Sequence, residues 1–261
     1  MSMGGLQKYH ERGERRLFDS NDYVLVRIDG RSFHSYCRGL RKPFDEDLMT
    51  AMNQTTKALA KEVAGFRLGY VQSDEISLLI TARPGPPAPN KSSELWMGGN
   101  LAKLVSLTAS IATAKFNQIR CQQGFDKLAH FDSRVWAFRG NEAGRQLTAD
   151  YFKWRRDDAI KNSISMAASV RFSPRELHGV NRDDRMEMLK EAGHPWDELP
   201  ERFRFGRAVV KKTVAQEVSY FDKRLGEVSH ITADRTKVKG FTPKERNQMS
   251  EYIPRIWAEN D

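Results

Sequence analysis

Two short apolar frames hold the acids of this chain that could do chemistry. Asp29 closes Tyr-Val-Leu-Val-Arg-Ile-Asp-Gly (23–30), and Asp74 and Glu75 sit inside Tyr-Val-Gln-Ser-Asp-Glu-Ile-Ser-Leu-Leu-Ile (70–80). A carboxylate is seldom withdrawn from water without a partner, because desolvating an isolated charge costs far more than one hydrogen bond returns. An aspartate ending an apolar strand, matched by an acidic pair between two further strands, therefore points to a bound cation. Hard oxygen donors suit Mg²⁺, which keeps several waters and shares substrate phosphates. Two such ions held by Asp29, Asp74 and Glu75 would activate an attacking hydroxyl and stabilise the leaving oxygen of an in-line displacement. The chemistry expected is metal-dependent phosphoryl or nucleotidyl transfer. Taken one at a time, each acid also reads as a solvated turn residue.

Other residues fit the same chemistry. Gly30 has no Cβ, so its backbone can approach a metal or phosphate closely and its carbonyl could be a ligand; an ordinary turn glycine is the alternative. Arg27, Arg31, Lys42 and Lys103 lie near strand or helix ends, where they could clamp a triphosphate. Each alone also reads as a solvated surface cation. Ser73 could donate to a phosphate or stabilise the bend, and His34, four residues after Gly30, reads as a structural histidine when taken alone. The sequence has no Gly-x-x-x-x-Gly-Lys-Ser/Thr loop, nucleophile elbow, paired-histidine zinc motif or kinase signature.

The elements that must position these groups can be read from periodicity. Residues 23–29 form a buried central strand. Leu48, Met52, Thr55, Leu59 and Val63 recur at helical spacing, which predicts an amphipathic helix over 46–64 stopped by Gly65. Residues 68–80 predict a hairpin with its acids at the bend. Strand, helix, hairpin is the opening of a ferredoxin-like split layout. After a proline-rich stretch (82–91), read as a surface loop, come a long helix through Leu101, Leu104, Val105, Thr108, Ile111 and Ala112, a strand at 134–138 and a helix over 148–168. Two capping boxes, Ser173-Pro174-Arg175-Glu176 and Thr242-Pro243-Lys244-Glu245, predict helix starts. Arg182–Ala192 is a short helix closed by Gly193, and Val209 to Val214 one further strand. The expected fold is α+β: a palm-like antiparallel sheet with helices on one face over residues 1–140, followed by a mostly helical, basic region over 141–261.

Composition limits the function classes. With 261 residues, 39% hydrophobic and 30% charged, the chain reads as a soluble globular protein able to bury a substantial core. No apolar run approaches the ~20 residues of a membrane span, and the first ten residues lack the apolar core of a secretory signal. Cys37 and Cys121 show no pairing or ligand spacing, so a cytoplasmic location is expected and a structural zinc is not. The net charge of +9 suits a phosphate-rich partner. Its excess is local and interleaved with aromatics, as in Phe152-Lys153-Trp154-Arg155-Arg156 and Arg202-Phe203-Arg204-Phe205, the pairing on which unpaired bases stack. The same interleaving arises when aromatics enter a core and arginines face water.

Five segments match a known family in order and spacing: Asp-Gly-Arg-Ser-Phe-His (29–34), Lys-Pro-Phe-Asp (42–45), Gln-Ser-Asp-Glu (72–75), Phe-Asp-Ser-Arg (131–134) and Trp-Arg-Arg-Asp-Asp-Ala-Ile-Lys-Asn-Ser-Ile (154–164). Together they resemble the tRNA-His guanylyltransferase family over about residues 8–212. The resemblance implies a polymerase-like palm that adds nucleotides to the 5′ end of tRNA in the 3′→5′ direction with two Mg²⁺ ions, using ATP, GTP and other nucleoside triphosphates. It implies metal binding by Asp29, Asp74 and the Gly30 carbonyl, with Glu75 supporting or sharing the site. Gly30, Arg31, Ser32, Phe33, His34, Lys42, Asp45, Ser73 and Lys103 would surround the triphosphates. Arg134, Lys153, Arg155, Arg156, Asn162 and Arg207 would contact RNA, and the assembly would be a homotetramer, a dimer of dimers.

One departure bears on substrate choice. Eukaryotic members carry His-Ile-Asn-Asn-Leu after the Trp-Arg motif, where this chain has Ile160-Lys161-Asn162-Ser163-Ile164. That segment and the Phe172–Gly179 block resemble the bacterial and archaeal guanylyltransferase-like branch, which implies template-directed repair of 5′-truncated tRNA. Two other classes compete. A palm-fold nucleotide cyclase would share the acids but would not need the basic, aromatic-rich region at 148–212. A non-catalytic RNA-binding module would show no metal dependence.

Overall fold

The structure is a computed structural model that describes residues 2–13, 15–82, 94–222, 224 and 226–257; the expected proline-rich loop lies almost wholly outside them. After an N-terminal helix, α1 (Met3–Gly13), come β1 (Tyr23–Gly30), a single turn α2 (Phe33–Tyr36), α3 (Glu46–Glu62), β2 (Phe66–Gln72) and β3 (Glu75–Ile80). Then follow α4 (Leu101–Gln122), β4 (Phe131–Phe138), α5 (Glu142–Arg171), α6 (Arg182–Glu191), α7 (Glu201–Arg204), β5 (Arg207–Asp222) and β6 (Glu227–Phe241).

The strands form one sheet in the order β4-β1-β3-β2-β5-β6, with every pairing antiparallel. Strand side chains alternate between faces, and the apolar residues of β1 are divided accordingly. Val24, Val26 and Ile28 pack with Met52 and Leu59 of α3 and Phe116 of α4. Tyr23 and Leu25 pack on the other face with Phe152 and Ala159 of α5 and with Met249 and Ile253. The expected antiparallel palm is present, and the expected pair of helices covers one face. The second face is covered too, because α5 runs 30 residues across the sheet and beyond it.

The C-terminal region differs from its expected, mostly helical character. β5 and β6 pair over 15 residues, from Ala208–Phe241 to Asp222–Glu227, yet only Arg207–Val210 pair with β2. The rest is a two-stranded ribbon with no third strand among the described residues. Its solvated strands carry Lys, Thr, Glu and Gln between their apolar positions, so no alternation marks them in the sequence. Neither capping box starts a helix. Ser173 N–H donates to Glu176 Oε2 at 2.7 Å, but the chain continues as turns to Gly179, and the second box precedes only a 3₁₀ turn, Gln248–Tyr252. A box satisfies local donors, whereas a helix also needs an apolar stripe to bury.

Candidate functional site

Register brings the acids together. Asp29 lies opposite Glu75 on β3 and opposite Asp132 on β4, which puts them on one face at one end of the sheet. The Ser73-Asp74 bend folds back over this end: Gly30 N–H donates to the Asp74 carbonyl at 3.2 Å. Ser73 adopts a left-handed φ of 47° and donates its hydroxyl to Asp74 Oδ1 at 3.0 Å. Gly30 serves packing as well as access, since a Cβ there would fall 2.2 Å from the Phe33 ring.

Asp74 and Glu75 have different surroundings. Burial raises the Asp74 carboxyl above its ordinary range, Asp29 adds to the rise, and Ser73 and Arg27 oppose it. Glu75 is 7% exposed, with Arg27 Nη2 at 2.5 Å from Oε2 and Arg155 Nε at 2.6 Å from Oε1. Burial pushes Glu75 up, and the guanidiniums of Arg155 and Arg27 oppose the rise. Each Glu75 oxygen thus meets a guanidinium from a neighbouring element, Arg27 of β1 or Arg155 of α5. Arg155 also reaches Asp158 at 3.3 Å, and Asp158 Oδ2 accepts from Gln72 at 3.3 Å and from Asn162 at 3.2 Å. Tyr151 completes this face of α5, sharing a 2.8 Å hydrogen bond with Ser77.

Two cavities open on the other side of the bend. One, of about 580 Å³, is lined by His34, Arg38, Lys42, Ser73, Asp74 and Met166, among others. The second, narrower one runs between the 40–49 segment, the end of β2 and α5, and its walls include Lys42, Asp45, Gln72, Ser73, Asn162, Phe203 and Arg207. Phe44 and Phe203 close it with ring centroids 4.9 Å apart, and Arg202 pairs with Glu46 beside them. The first cavity sets Arg38 and Lys42, cations of the kind that clamp phosphates, near the Asp74 carboxylate.

Several expected site residues also have structural roles. The Phe33 ring is 5% exposed in the core, against Tyr36, Phe116 and Phe131. Asp45 caps α3, accepting from Leu48 N–H at 2.9 Å, while also facing the narrow cavity. Arg31 and Ser32 line a third hollow with Lys127 and His130, and Lys103, in the first turn of α4, lines none of these three.

The residues expected on RNA divide in two. Arg134 is exposed, and Lys153 pairs with Asp150 at the surface. Arg155 and Arg156, 3% and 7% exposed, are interior: Arg156 donates to the Pro243 and Lys244 carbonyls. Arg207 donates to the Met49 carbonyl, and burial with Arg202 nearby lowers it to about 10. The resemblance puts Lys153, Arg155 and Arg156 together on RNA, but helical rotation turns the two arginines inward. Asp158 and Gln72 were not singled out by sequence; the signal was Arg155, Asp158 and Asn162 at three- and four-residue spacing, one face of a helix.

Among the described residues no three His, Cys, Asp or Glu side chains form a preformed metal cluster. What the site offers instead is two carboxylates, Asp29 and Asp74, and a backbone carbonyl. A family model described as tRNA(His) guanylyltransferase matches residues 6–139. This chain belongs to that family. The family protein described here is 27% identical over 245 residues to the tRNA(His) guanylyltransferase of Saccharomyces cerevisiae, covering 84% of this chain and 92% of that one. A bacterial tRNA(His) guanylyltransferase-like protein solved in complex with ATP superposes with a TM-score of 0.77 at 34% identity, over 97% of this chain and 99% of that one. Its counterpart in complex with GTP gives 0.73 at 32%, with the same coverage. The chain is thus a nucleotidyltransferase of this family with a palm-like fold. No helix among the described residues is long and apolar enough to cross a membrane.

Proposed function

We propose that this protein adds nucleotides to the 5′ end of tRNA in the 3′→5′ direction, as a template-directed repair enzyme. The observation that carries the reading is the meeting of Asp29 and Asp74 beside the Gly30 carbonyl, next to a cleft lined by Lys42, His34 and Ser73. The repair assignment is supported by Ile160 in place of the eukaryotic histidine and by the full-length likeness to the bacterial proteins.

The donor set fits Mg²⁺. Asp29 raises Asp74, so the site holds like charges that a divalent cation relieves, and all the donors are hard oxygens. Asp29, Asp74 and the Gly30 carbonyl would hold the metal, which when bound neutralises triphosphate charge and makes a hydroxyl more acidic. Lys42, His34 and Arg38 orient the triphosphate, and Phe44 and Phe203 close the narrow cavity. The 3′ hydroxyl of the incoming nucleotide attacks the activated 5′ phosphate of the RNA. A new P–O bond forms as pyrophosphate or AMP departs, and the hydroxyl proton leaves to solvent. A 5′ monophosphate end is first activated with ATP. The reaction belongs with the cytoplasmic tRNA pool.

Assembly follows the same reading. A two-stranded ribbon is marginal alone in water, so the segment of β5 and β6 beyond Val210 is the element we assign to contacts within a homotetramer. Replacing 214–235 by a tight turn between Thr213 and Thr236, which are paired in register, should lower the mass seen by native mass spectrometry. An unchanged mass refutes the assignment.

The reaction is tested with a tRNA lacking its first nucleotide, ATP, the four nucleoside triphosphates and Mg²⁺, with full-length tRNA-His as second substrate and Asp74→Asn as control. Restoration of the complementary nucleotide by wild type alone supports repair. An untemplated G on tRNA-His moves the assignment to guanylyl addition. A cyclic nucleotide with no RNA extension would make the protein a cyclase.

A further inference from the structure

Trp154 is the aromatic of the basic run that the structure leaves at the surface. Its neighbour Phe152 is fully buried, whereas Trp154 is 52% exposed. Lone exposed aromatics are common and mean little by themselves; what separates this one is how it is held and where. The Arg155 guanidinium lies over one face of the indole, 4.6 Å from its centre, and half of the residue stays exposed. That guanidinium is anchored at Glu75 and Asp158. On its flank the indole meets the Tyr151 ring at 6.0 Å, and Tyr151 is fixed by Ser77. Both supports are therefore bonded to β3, the strand that carries Glu75.

Through Tyr151 the indole adjoins Trp136 of β4. The next two β4 side chains on that face are Arg134, 62% exposed, and Asp132, which lies opposite Asp29. A rigid aromatic face backed by a cation thus stands beside an exposed arginine at the acid end of the sheet. We propose that Trp154 is a stacking platform for the base at the 5′ end of the acceptor stem, with Arg134 taking an adjacent phosphate. An aromatic face accepts any base, which suits an enzyme that must hold stems of varied sequence while placing their ends at Asp29 and Asp74. This rests on the RNA 5′-end reaction proposed above.

The test compares Trp154→Ala and Trp154→Phe with wild type on the 5′-truncated tRNA. Trp154→Ala should raise KM for the RNA by about tenfold or more, with KM for the nucleoside triphosphates unchanged and Trp154→Phe largely restored. RNA should quench tryptophan fluorescence more in wild type than in Trp154→Phe. Wild-type extension with an unchanged RNA KM in Trp154→Ala overturns the platform and leaves the reaction standing. If wild type extends neither RNA, the reaction falls, and the quenching difference alone decides the platform. A lower native mass for Trp154→Ala without an RNA effect assigns this face to a second copy of the chain and refutes the proposal.

Discussion

Glu75 faces α5 with a guanidinium on each carboxylate oxygen, while Asp74, one residue earlier, faces the cleft with a serine hydroxyl and a second carboxylate for company. Both are acids in the same hairpin, and both are raised by burial. The protein supplies the counter-charge for Glu75 from its own side chains. For Asp74 and Asp29 the cation found beside them among the described residues is Arg27, 3.8 Å from Asp29. An acid neutralised from within ties elements together; one that is not is left for a ligand. The Glu75 side thus locks α5 to β1 and β3, and the Asp74 side is where a cation and phosphates would complete the structure.

The sharpest way to break this distinction is to remove each acid in turn. Asp74→Asn should reduce 5′ extension on the order of 10³-fold, a loss typical of removing a main electrostatic element, while the protein stays folded by circular dichroism. Equal loss of fold in Asp74→Asn would place it on the structural side with Glu75. Arg155→Met, which leaves Glu75 with one guanidinium, should cost about 3 kcal/mol in urea unfolding. Combined with Glu75→Gln, the cost should fall well short of the sum of the two single changes. Additive costs would mean that the pair is not coupled.

A pH titration separates the two acids by their charge. A raised native pKa means that the folded state holds its proton more tightly, so metal-free stability is lost as pH climbs from Asp74's ordinary 3.8 through its elevated native value. Asp74→Asn should remove this loss and melt a few °C higher than wild type at pH 7 without Mg²⁺. Mg²⁺ should stabilise wild type increasingly across the same window and the variant hardly at all. The smallest expected effect is at the junction of the two sides, where Asn162 and Gln72 share Asp158 and also line the narrow cavity. Asn162→Ala should raise KM for nucleotide about three- to tenfold, the worth of one hydrogen bond, with RNA KM unchanged.

The palm is legible in the order of residues alone. The β1 run, the α3 stripe and the acidic bend are local patterns, and their observed bounds differ from the expected ones by a few residues. The sequence also marks Asp29, Asp74 and Glu75, with Gly30 beside them, as candidates, because an acid in an apolar frame is a conflict that shows in one dimension. Which acids already have a counter-charge depends on how the elements pack. Whether Arg155 points at RNA or at Glu75 depends on the rotation of α5 against the sheet, and residue type carries no record of that. The β5–β6 ribbon was hidden for a related reason. A strand is recognised in sequence by the face it buries, and here pairing with its neighbour, rather than burial, defines the element.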